Sequence, residues 1–355
     1  MIAIPIREIL RVFGFSGPVF VYSGAMDPLY LGIDTGGTKT EVNLITHSQD
    51  SDFSTYRILD KRRIPTERRS GLDGFLRELK NLTLEILTSA GFSMKNLQGV
   101  GIGLPGSIHP GQQRMVQGSI PFFKGIDLTQ VFRTSLEFSG SLVFENDANC
   151  FALAEAYFGA GSEWARKNRI SQEELCLLGV TLGTGVGGGI VMNGRLIRGR
   201  RGGAGEVGHM SLRESDRPCY CGKFGCAEQF LSGPALEHSY QIRSGAGGLE
   251  TGRSLFKRVK QGDPFAIATL EAYRTDLLQF LSNLSNLLDP HVIVLGGGIS
   301  LEEGIYTGIE TRLSEGCFLT EDPPAVLQNR LGDAAGAIGA ALLAYGLKSR
   351  EGLPS

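Results

Sequence analysis

The sequence predicts an α/β protein made of two related lobes. Strand-like and helix-like hydrophobic patterns intermingle along the whole chain, which is typical of α/β folds. The segment Leu-Gly-Ile-Asp-Thr-Gly-Gly-Thr at residues 31–38 is matched by Leu-Gly-Val-Thr-Leu-Gly-Thr-Gly at residues 178–185, 147 positions further on. A repeat on this scale indicates two similar lobes rather than a solenoid. A chain of 355 residues is also about right for two domains.

The spacing of apolar residues predicts the elements in order. At residues 71–90, leucine, phenylalanine and isoleucine recur every three or four positions, as on the buried face of a helix. Asp147 or Asn149 is placed to cap a second helix. The predicted helices cover residues 71–90, 147–160, 263–288 and 334–347. Strands are predicted within residues 29–46, 100–104, 141–145, 175–193 and 292–295, the first and fourth of these segments being strand–turn–strand units.

Composition excludes several classes of function. With a net charge of −2 and a pI of about 6.3, the chain has no excess of positive charge that would attract nucleic acid. Beyond residues 1–26 no segment approaches 18 continuous apolar residues, so no membrane span is expected. Residues 1–26 are interpreted as an upstream extension rather than a signal peptide, because glycine, proline and glutamate interrupt the signal pattern. We expect a cytoplasmic protein, in which Cys150, Cys176 and Cys317 are buried thiols.

A cluster of metal-binding residue types lies at residues 209–228. His209, Cys219, Cys221 and Cys226 are spaced H-x9-C-x-C-x4-C, and thiolate and imidazole are the ligands that suit tetrahedral zinc. Four protein ligands leave no open position, so the zinc is predicted to be structural. Disulfides or inert thiols are the alternatives.

Three glycine-rich turns each follow an apolar strand. Without a Cβ, the backbone N–H groups of such turns can approach a phosphate closely, and two of the three belong to the repeat. We therefore expect a nucleotide held from both sides. The context of these turns fits neither the dinucleotide-binding fingerprint nor the P-loop. The turns contain Gly36 and Gly37; Gly183, Thr184 and Gly185; and Gly296, Gly297 and Gly298.

Several polar residues are candidates for chemistry beside these turns. Asp34 ends a strand at the first turn, where a carboxylate can position Mg²⁺ or simply form the turn. Thr38 offers a hydroxyl to phosphate or satisfies the turn. Asp147, at a strand-to-helix junction, is either a helix cap or a base for a polyol hydroxyl. Glu206 and Glu228 flank the cysteine cluster and could accept hydrogen bonds from sugar hydroxyls, although exposed glutamates are common.

Taken together, these motifs resemble the ROK family of sugar kinases, in the actin, Hsp70 and hexokinase superfamily. The resemblance covers residues 30–346 and rests on four segments. They are Asp-Thr-Gly-Gly-Thr-Lys at residues 34–39, Asn-Asp-Ala-Asn at residues 146–149, Leu-Gly-Thr-Gly-Val-Gly-Gly-Gly at residues 182–189, and the Glu-Val-Gly-His and cysteine segments within residues 206–228.

The resemblance implies a two-lobed actin-like ATPase fold, related to ribonuclease H, with a cleft between the lobes and a zinc-binding loop. It implies ATP with Mg²⁺, structural Zn²⁺ and usually a homodimer. It also implies Asp147 as general base on the sugar 6-hydroxyl. The implied sugar ligands are Asn146, Gly106, Glu206, His209 and Glu228, with His209 using the ring nitrogen that does not bind zinc. The implied nucleotide contacts are Asp34, Gly36, Gly37, Thr38, Lys39, Gly183, Thr184, Gly185 and Gly296 to Gly298.

On this basis the extension covers residues 1–26, one lobe covers residues 27–148 and 332–348, and the other covers residues 149–331. Local motifs are shared among fructokinases, mannokinases, glucokinases and N-acetylglucosamine kinases, so the sugar stays open. Residues 117–123 lack the asparagine usual in the family's sugar-facing loop, and Gly118 or Ile120 falls in its place. The alternatives are an inactive sugar sensor and a sugar-responsive repressor. The 33 residues before Asp34 are apolar rather than basic, which disfavours the repressor.

Overall fold

Two five-stranded sheets form the framework of the protein in a computed structural model. The structure describes residues 27–37, 39–47, 56–66, 71–245, 251–319 and 321–346. The extension at residues 1–26 and Thr38 lie outside the described residues. No helix among those residues is long and apolar enough to cross a membrane.

The first sheet has the strand order β3-β2-β1-β4-β7. Its strands are β1 (Leu29–Thr35), β2 (Lys39–His47), β3 (Tyr56–Pro65), β4 (Leu97–Leu104) and β7 (Ser141–Asn146). β1, β2 and β3 are antiparallel, whereas β4 and β7 run parallel to β1. Between β4 and β7 the chain forms the hairpin of β5 (Gly106–His109) and β6 (Arg114–Gly118).

The second sheet repeats this arrangement in the order β10-β9-β8-β11-β12. Its strands are β8 (Cys176–Leu182), β9 (Val186–Met192), β10 (Arg195–Leu196), β11 (Val292–Gly296) and β12 (Ala325–Gln328). The first three are antiparallel and the last two run parallel to β8. β8 begins at residue 176 and β1 at residue 29, which differ by the 147 positions of the sequence repeat. The predicted α/β class and the repeat are confirmed.

Ten α-helices lie in the described part of the chain. They are α1 (Gly71–Ser89), α2 (Leu128–Leu136), α3 (Asp147–Phe158), α4 (Ala160–Asn168), α5 (Glu228–Leu231), α6 (Gly233–Ser244), α7 (Ser254–Lys260), α8 (Pro264–Leu288), α9 (Ile309–Gly316) and α10 (Ala335–Tyr345). Apolar side chains of α1 and α2, such as Phe75 and Phe132, are fully buried in the core of the first sheet. Leu277 and Phe280 of α8 are buried with the second sheet.

Helices α3 and α10 cross between the two sheets and contact each other. α3 follows the first sheet but packs on β8 and β9, whereas α10 follows the second sheet but packs on β1 and β4. The contacts are so close that a Cβ on Gly101 would overlap the carbonyl of Ala340, and one on Gly339 would overlap that of Cys150. The glycines and the alanine-rich α10 therefore allow α10 to pack closely on β4 and on α3.

The predicted strands and long helices are confirmed, with three differences. The predicted helix at 147–160 ends at Phe158, and a second helix begins at Ala160. The strands β3, β10 and β12, the β5–β6 hairpin and the helices α2, α5, α6, α7 and α9 were not predicted. The cap of α3 is Asn146, whose side chain accepts the backbone N–H of Asn149 at 3.0 Å. The expectation that Asp147 or Asn149 caps this helix is wrong, because Asp147 is already its first helical residue. The lobe boundaries stay a prediction.

Candidate active site

The first glycine turn joins β1 to β2. The N–H of Gly36 donates to the carbonyl of Lys39 at 2.8 Å, and the hydroxyl of Thr66 donates to the carbonyl of Gly36 at 2.9 Å. Lys39 Nζ lies 2.9 Å from a carboxylate oxygen of Asp333, just before α10. The turn is therefore tied to β3 on one side and to the crossing helix on the other.

Asp34 lies directly before this turn with an unsatisfied oxygen. Its Oδ1 is buried and has no hydrogen-bond partner. Burial, with the charges of Asp147 and Glu41 in addition, raises the pKa of Asp34 to about 8. A Cβ on Gly336 of α10 would overlap this carboxyl group. A buried oxygen without a donor suits a cation, so Asp34 fits the predicted Mg²⁺ role.

Asp147 begins α3 at the carboxyl end of β7. Its Oδ1 accepts the N–H of Ala148 at 2.9 Å. Burial raises the pKa of Asp147 to about 6, and the charge of Glu206 acts in the same direction. The side chain of Asn146 donates to the carbonyl of Gly106 at 3.1 Å. The structure thus brings together three of the residues predicted to face a sugar, namely Gly106, Asn146 and Asp147.

A partly buried ion pair beside this segment was missed by the sequence analysis. Glu145 is only 3% exposed and accepts the N–H of Asn146 and the side-chain amide of Asn149, each at 2.9 Å. Arg198 Nε donates to its other oxygen at 2.5 Å. Arg198 is 28% exposed and supplies the cation that the buried carboxylate of Glu145 needs. The pair fixes the junction from which Asp147 projects.

The second glycine turn joins β8 to β9. The N–H of Gly183 donates to the carbonyl of Gly185 at 3.0 Å, and Thr184 between them is exposed. Glu228 Oε2 accepts the N–H of Val186 at 3.1 Å, and a Cβ on Gly185 would lie 2.6 Å from the same oxygen. The carboxylate at the end of the cysteine cluster therefore contacts the predicted phosphate turn.

The third glycine turn lies beside the second. Gly296 ends β11 and pairs with Thr181 of β8. Gly297 has a φ of 81°, and a Cβ there would lie 2.5 Å from the carbonyl oxygen of Leu182. Gly298, which follows, lies close to the side chain of Arg253. Both turns stand at the carboxyl ends of parallel strands, the usual position for ligands in open α/β sheets.

The four predicted zinc ligands converge. His209, Cys219, Cys221 and Cys226 place one ligand atom each within 4.8 Å of all the others. The sulfurs of Cys221 and Cys226 are 3.6 Å apart, and Nδ1 of His209 is 3.5 Å from the sulfur of Cys219. Bonds of about 2.3 Å to a tetrahedral zinc ion separate two sulfurs by about 3.8 Å. The donor set and its spacing fit zinc, and all six cysteines are free of disulfides.

Two further contacts lie at the cysteine cluster, one to β5 and one within the cluster. Ser107 of β5, which was not predicted, donates its hydroxyl to Glu206 Oε1 at 2.6 Å. Nε2 of His209 lies 2.9 Å from the hydroxyl of Tyr220, another residue that was not predicted. Partial enclosure of this hydroxyl, with the charges of Glu228 and Glu206, raises the pKa of Tyr220. The two glutamates, the histidine and the tyrosine therefore share one wall.

The loop that lacks the family asparagine does not provide a substitute at either expected position. Ile120 is fully buried in the first core. Gly118 ends β6, where a Cβ would collide with the side chain of Met115. Ser119 between them is exposed, and its N–H donates to the carbonyl of Pro105 at 3.2 Å. Neither replacement offers a polar side chain.

Paired sheets with matching glycine turns and two crossing helices define the class of actin-like ATPases. The model of the ROK family matches residues 30–346, and the chain belongs to this family. The resemblance to ROK sugar kinases predicted from the motifs is therefore confirmed.

Individual relatives cover nearly the whole chain. An N-acetyl-D-glucosamine kinase of Pectobacterium atrosepticum is 34% identical over 330 residues, 89% of this chain and 98% of the relative. The crystal structure of a ROK hexokinase from Thermus thermophilus is 31% identical with a TM-score of 0.73, covering 89% and 98% of the two chains. A ROK glucokinase from Streptomyces griseus, solved with glucose and AMPPNP, is 28% identical with a TM-score of 0.70, covering 89% and 99%.

Elemental analysis of the purified protein should give one zinc ion per chain, because the four ligand atoms already lie within 4.8 Å of one another. Replacing Cys221 by Ser should abolish stoichiometric zinc and weaken sugar binding about tenfold or more, since the metal fixes the orientation of His209. The matched control is Cys317→Ser, which changes a buried thiol outside the cluster. Undiminished sugar affinity in zinc-free Cys221→Ser protein would contradict the organising role.

Proposed function

We propose that this protein is an ATP-dependent sugar kinase that phosphorylates the 6-hydroxyl of N-acetylglucosamine, with Asp147 as the general base. Of the sugars left open by the motifs, which also include fructose, mannose and glucose, this one is favoured by the full-length relatives named N-acetyl-D-glucosamine kinase. The observation that carries the proposal is the half-buried carboxyl group of Asp147 at the start of α3, where burial, helped by the charge of Glu206, raises the pKa of Asp147.

The sugar would bind along the wall that leads from Asn146 to Glu228. The carboxylates of Glu206 and Glu228 can accept paired hydrogen bonds from neighbouring hydroxyls. The side-chain amide of Asn146 can both donate and accept. Gly106 would contribute its backbone, with a φ of 143° that favours glycine. His209 would contribute Nε2. The loop at residues 117–123 has no asparagine. The proposal therefore includes no contact between this loop and the sugar.

The nucleotide would bind at the three glycine turns. Gly36, Gly37 and Lys39 would contact phosphate from one side and Gly183 to Gly185 from the other, with Gly296 to Gly298 beside the nucleoside. Thr38, outside the described residues, would offer its hydroxyl to phosphate. Asp34 would hold Mg²⁺, which supplies charge stabilisation to phosphoryl transfer when bound. Lys39 would have to leave Asp333, a half-exposed pair of small energetic value, to reach a phosphate.

Asp147 would accept the proton of the sugar hydroxyl as that oxygen attacks the γ-phosphorus. A carboxylate with a pKa near 6 is ionised at neutral pH and is a stronger base than an ordinary aspartate. The N–H of Ala148 holds its Oδ1, which leaves the other oxygen for the substrate. Closure around the sugar would exclude water from this centre.

The setting of the reaction is also part of the proposal. ATP and reduced thiols are both features of the cytoplasm, so we place the enzyme there. We expect no DNA binding, given the net charge of −2. A homodimer is the expected assembly, as the family resemblance implies.

The substrate is tested by ADP release with N-acetylglucosamine, N-acetylmannosamine, glucose, mannose and fructose. We expect N-acetylglucosamine to have the highest kcat/KM, because a relative named N-acetyl-D-glucosamine kinase is 34% identical over 89% of this chain. A higher kcat/KM for any other sugar would contradict the substrate assignment. No turnover with any of the five would favour the inactive-sensor alternative, and a specific DNA complex at physiological salt would favour the repressor.

The base is tested by Asp147→Asn. Removing the proton acceptor should lower kcat by about two to four orders of magnitude, whereas calorimetric sugar affinity should stay within a few-fold. Asp127→Asn is the matched control, because asparagine can replace this aspartate as the cap of α2. A kcat for Asp147→Asn within about tenfold of wild type would exclude Asp147 as the base.

A further inference from the structure

Tyr220 lies between two of the predicted zinc ligands, Cys219 and Cys221, and has no part in the proposed reaction. Its hydroxyl oxygen is 2.9 Å from Nε2 of His209. The two rings meet edge to face, with centroids 5.0 Å apart and an interplanar angle of 85°. The residue is nevertheless 65% exposed, so this contact is made by a side chain that extends into solvent.

The direction of this hydrogen bond follows from the zinc cluster. Nδ1 of His209 faces the sulfur of Cys219 within the group of ligand atoms. An imidazole that gives its Nδ1 lone pair to a metal carries its proton on Nε2. Nε2–H is therefore the donor and the hydroxyl oxygen of Tyr220 is the acceptor. The ring has only this one N–H, which can satisfy one well-aligned acceptor.

The sugar contact of the proposed function requires the same N–H. A sugar hydroxyl oxygen that accepts from His209 must occupy the place where the hydroxyl of Tyr220 lies. We propose that Tyr220 occupies this sugar position in the free enzyme and is displaced when substrate binds, which makes it a residue that sets substrate affinity. This inference rests on the proposed function, since it assumes that His209 contacts the sugar.

The surroundings of Tyr220 allow this displacement. Its neighbours Cys219 and Cys221 are both held in the ligand cluster, so the backbone stays in place and the side chain moves by rotation. Because most of the Tyr220 side chain is exposed, its rotation breaks few packing contacts. After rotation the hydroxyl can bond to water, so the lost contact is only the net value of one hydrogen bond.

Because displacing the Tyr220 hydroxyl costs free energy, Tyr220→Phe should bind sugar more tightly than the wild type. If only the fraction of molecules with a free His209 Nε2–H can bind sugar, the apparent Kd is increased by the inverse of that fraction. Removing one competing hydroxyl should therefore tighten binding about two- to tenfold, the range of a net hydrogen bond. KM should fall by the same factor and kcat should stay within about twofold, since the change affects ground and transition states equally.

The experiment is calorimetric titration without ATP, using the sugar with the highest turnover in the panel, on wild type, Tyr220→Phe and Phe224→Leu. Phe224 is the matched control, because it is an exposed aromatic residue of the same loop, between Cys221 and Cys226. Zinc content is measured for each protein, so that a disturbed loop is recognised. We expect tighter binding for Tyr220→Phe alone.

Equal Kd values for Tyr220→Phe and wild type, with zinc retained, would overturn the inference. Weaker binding would overturn it as well, because it would mean that the hydroxyl contacts the sugar directly. Failure of the proposed function is recognised separately by the absence of turnover with every sugar. In that case the contact itself is tested by the ¹⁵N-edited NMR signal of His209 Nε2–H. This signal should be protected from exchange in wild type and broadened in Tyr220→Phe, and identical signals would refute the contact.

Discussion

The partial burial of two carboxyl groups, Asp34 and Asp147, is the constraint on which the site depends. Asp34 is the penultimate residue of β1 and lies against Gly336 of α10, and Asp147 directly follows β7 as the first residue of α3. Both residues are half-buried. Burial raises the pKa of Asp34 to about 8 and that of Asp147 to about 6. The fold thus bears the cost of desolvating two acids. In the proposed reaction, a cation compensates the charge of Asp34, and the proton taken from the sugar compensates that of Asp147. The same burial that destabilises the two ionised groups therefore makes them reactive.

In the proposed function, the cysteine cluster would connect recognition of the sugar with the glycine turns that would hold the nucleotide. Glu206 is tied to β5 through Ser107, and Glu228 is tied to the second glycine turn through the N–H of Val186. A metal between His209 and the cysteines would fix the distance between these two attachments. The loop is then closed in its coordination, as a structural zinc site should be, while its two ends reach elements that belong to different sheets.

Most of the framework could be predicted because its signals are local. The repeat at residues 31–38 and 178–185, the glycine turns and the cysteine spacing each lie within a few residues, and their positions relative to strands fix where they meet. The contacts that were missed join segments far apart in the chain, and neither segment has a sequence motif that indicates the contact. Ser107 and Glu206 are 99 residues apart, and Glu145 and Arg198 are 53 apart. The sequence around Ser107 or Arg198 does not indicate which residue it contacts, because each pair is brought together only by the packing of distant segments.

The most direct test of the account is the pH dependence of kcat/KM for the preferred sugar, since this ratio reports the ionisation of the free enzyme. Asp147 must be ionised to act as a base, and its raised pKa lies at about 6. We predict that kcat/KM falls about tenfold for each pH unit below about 6, with full activity restored on return to neutral pH. A kcat/KM that stays constant down to pH 5 in folded protein would show an aspartate of ordinary acidity, and would contradict a buried base at the crossing of the helices.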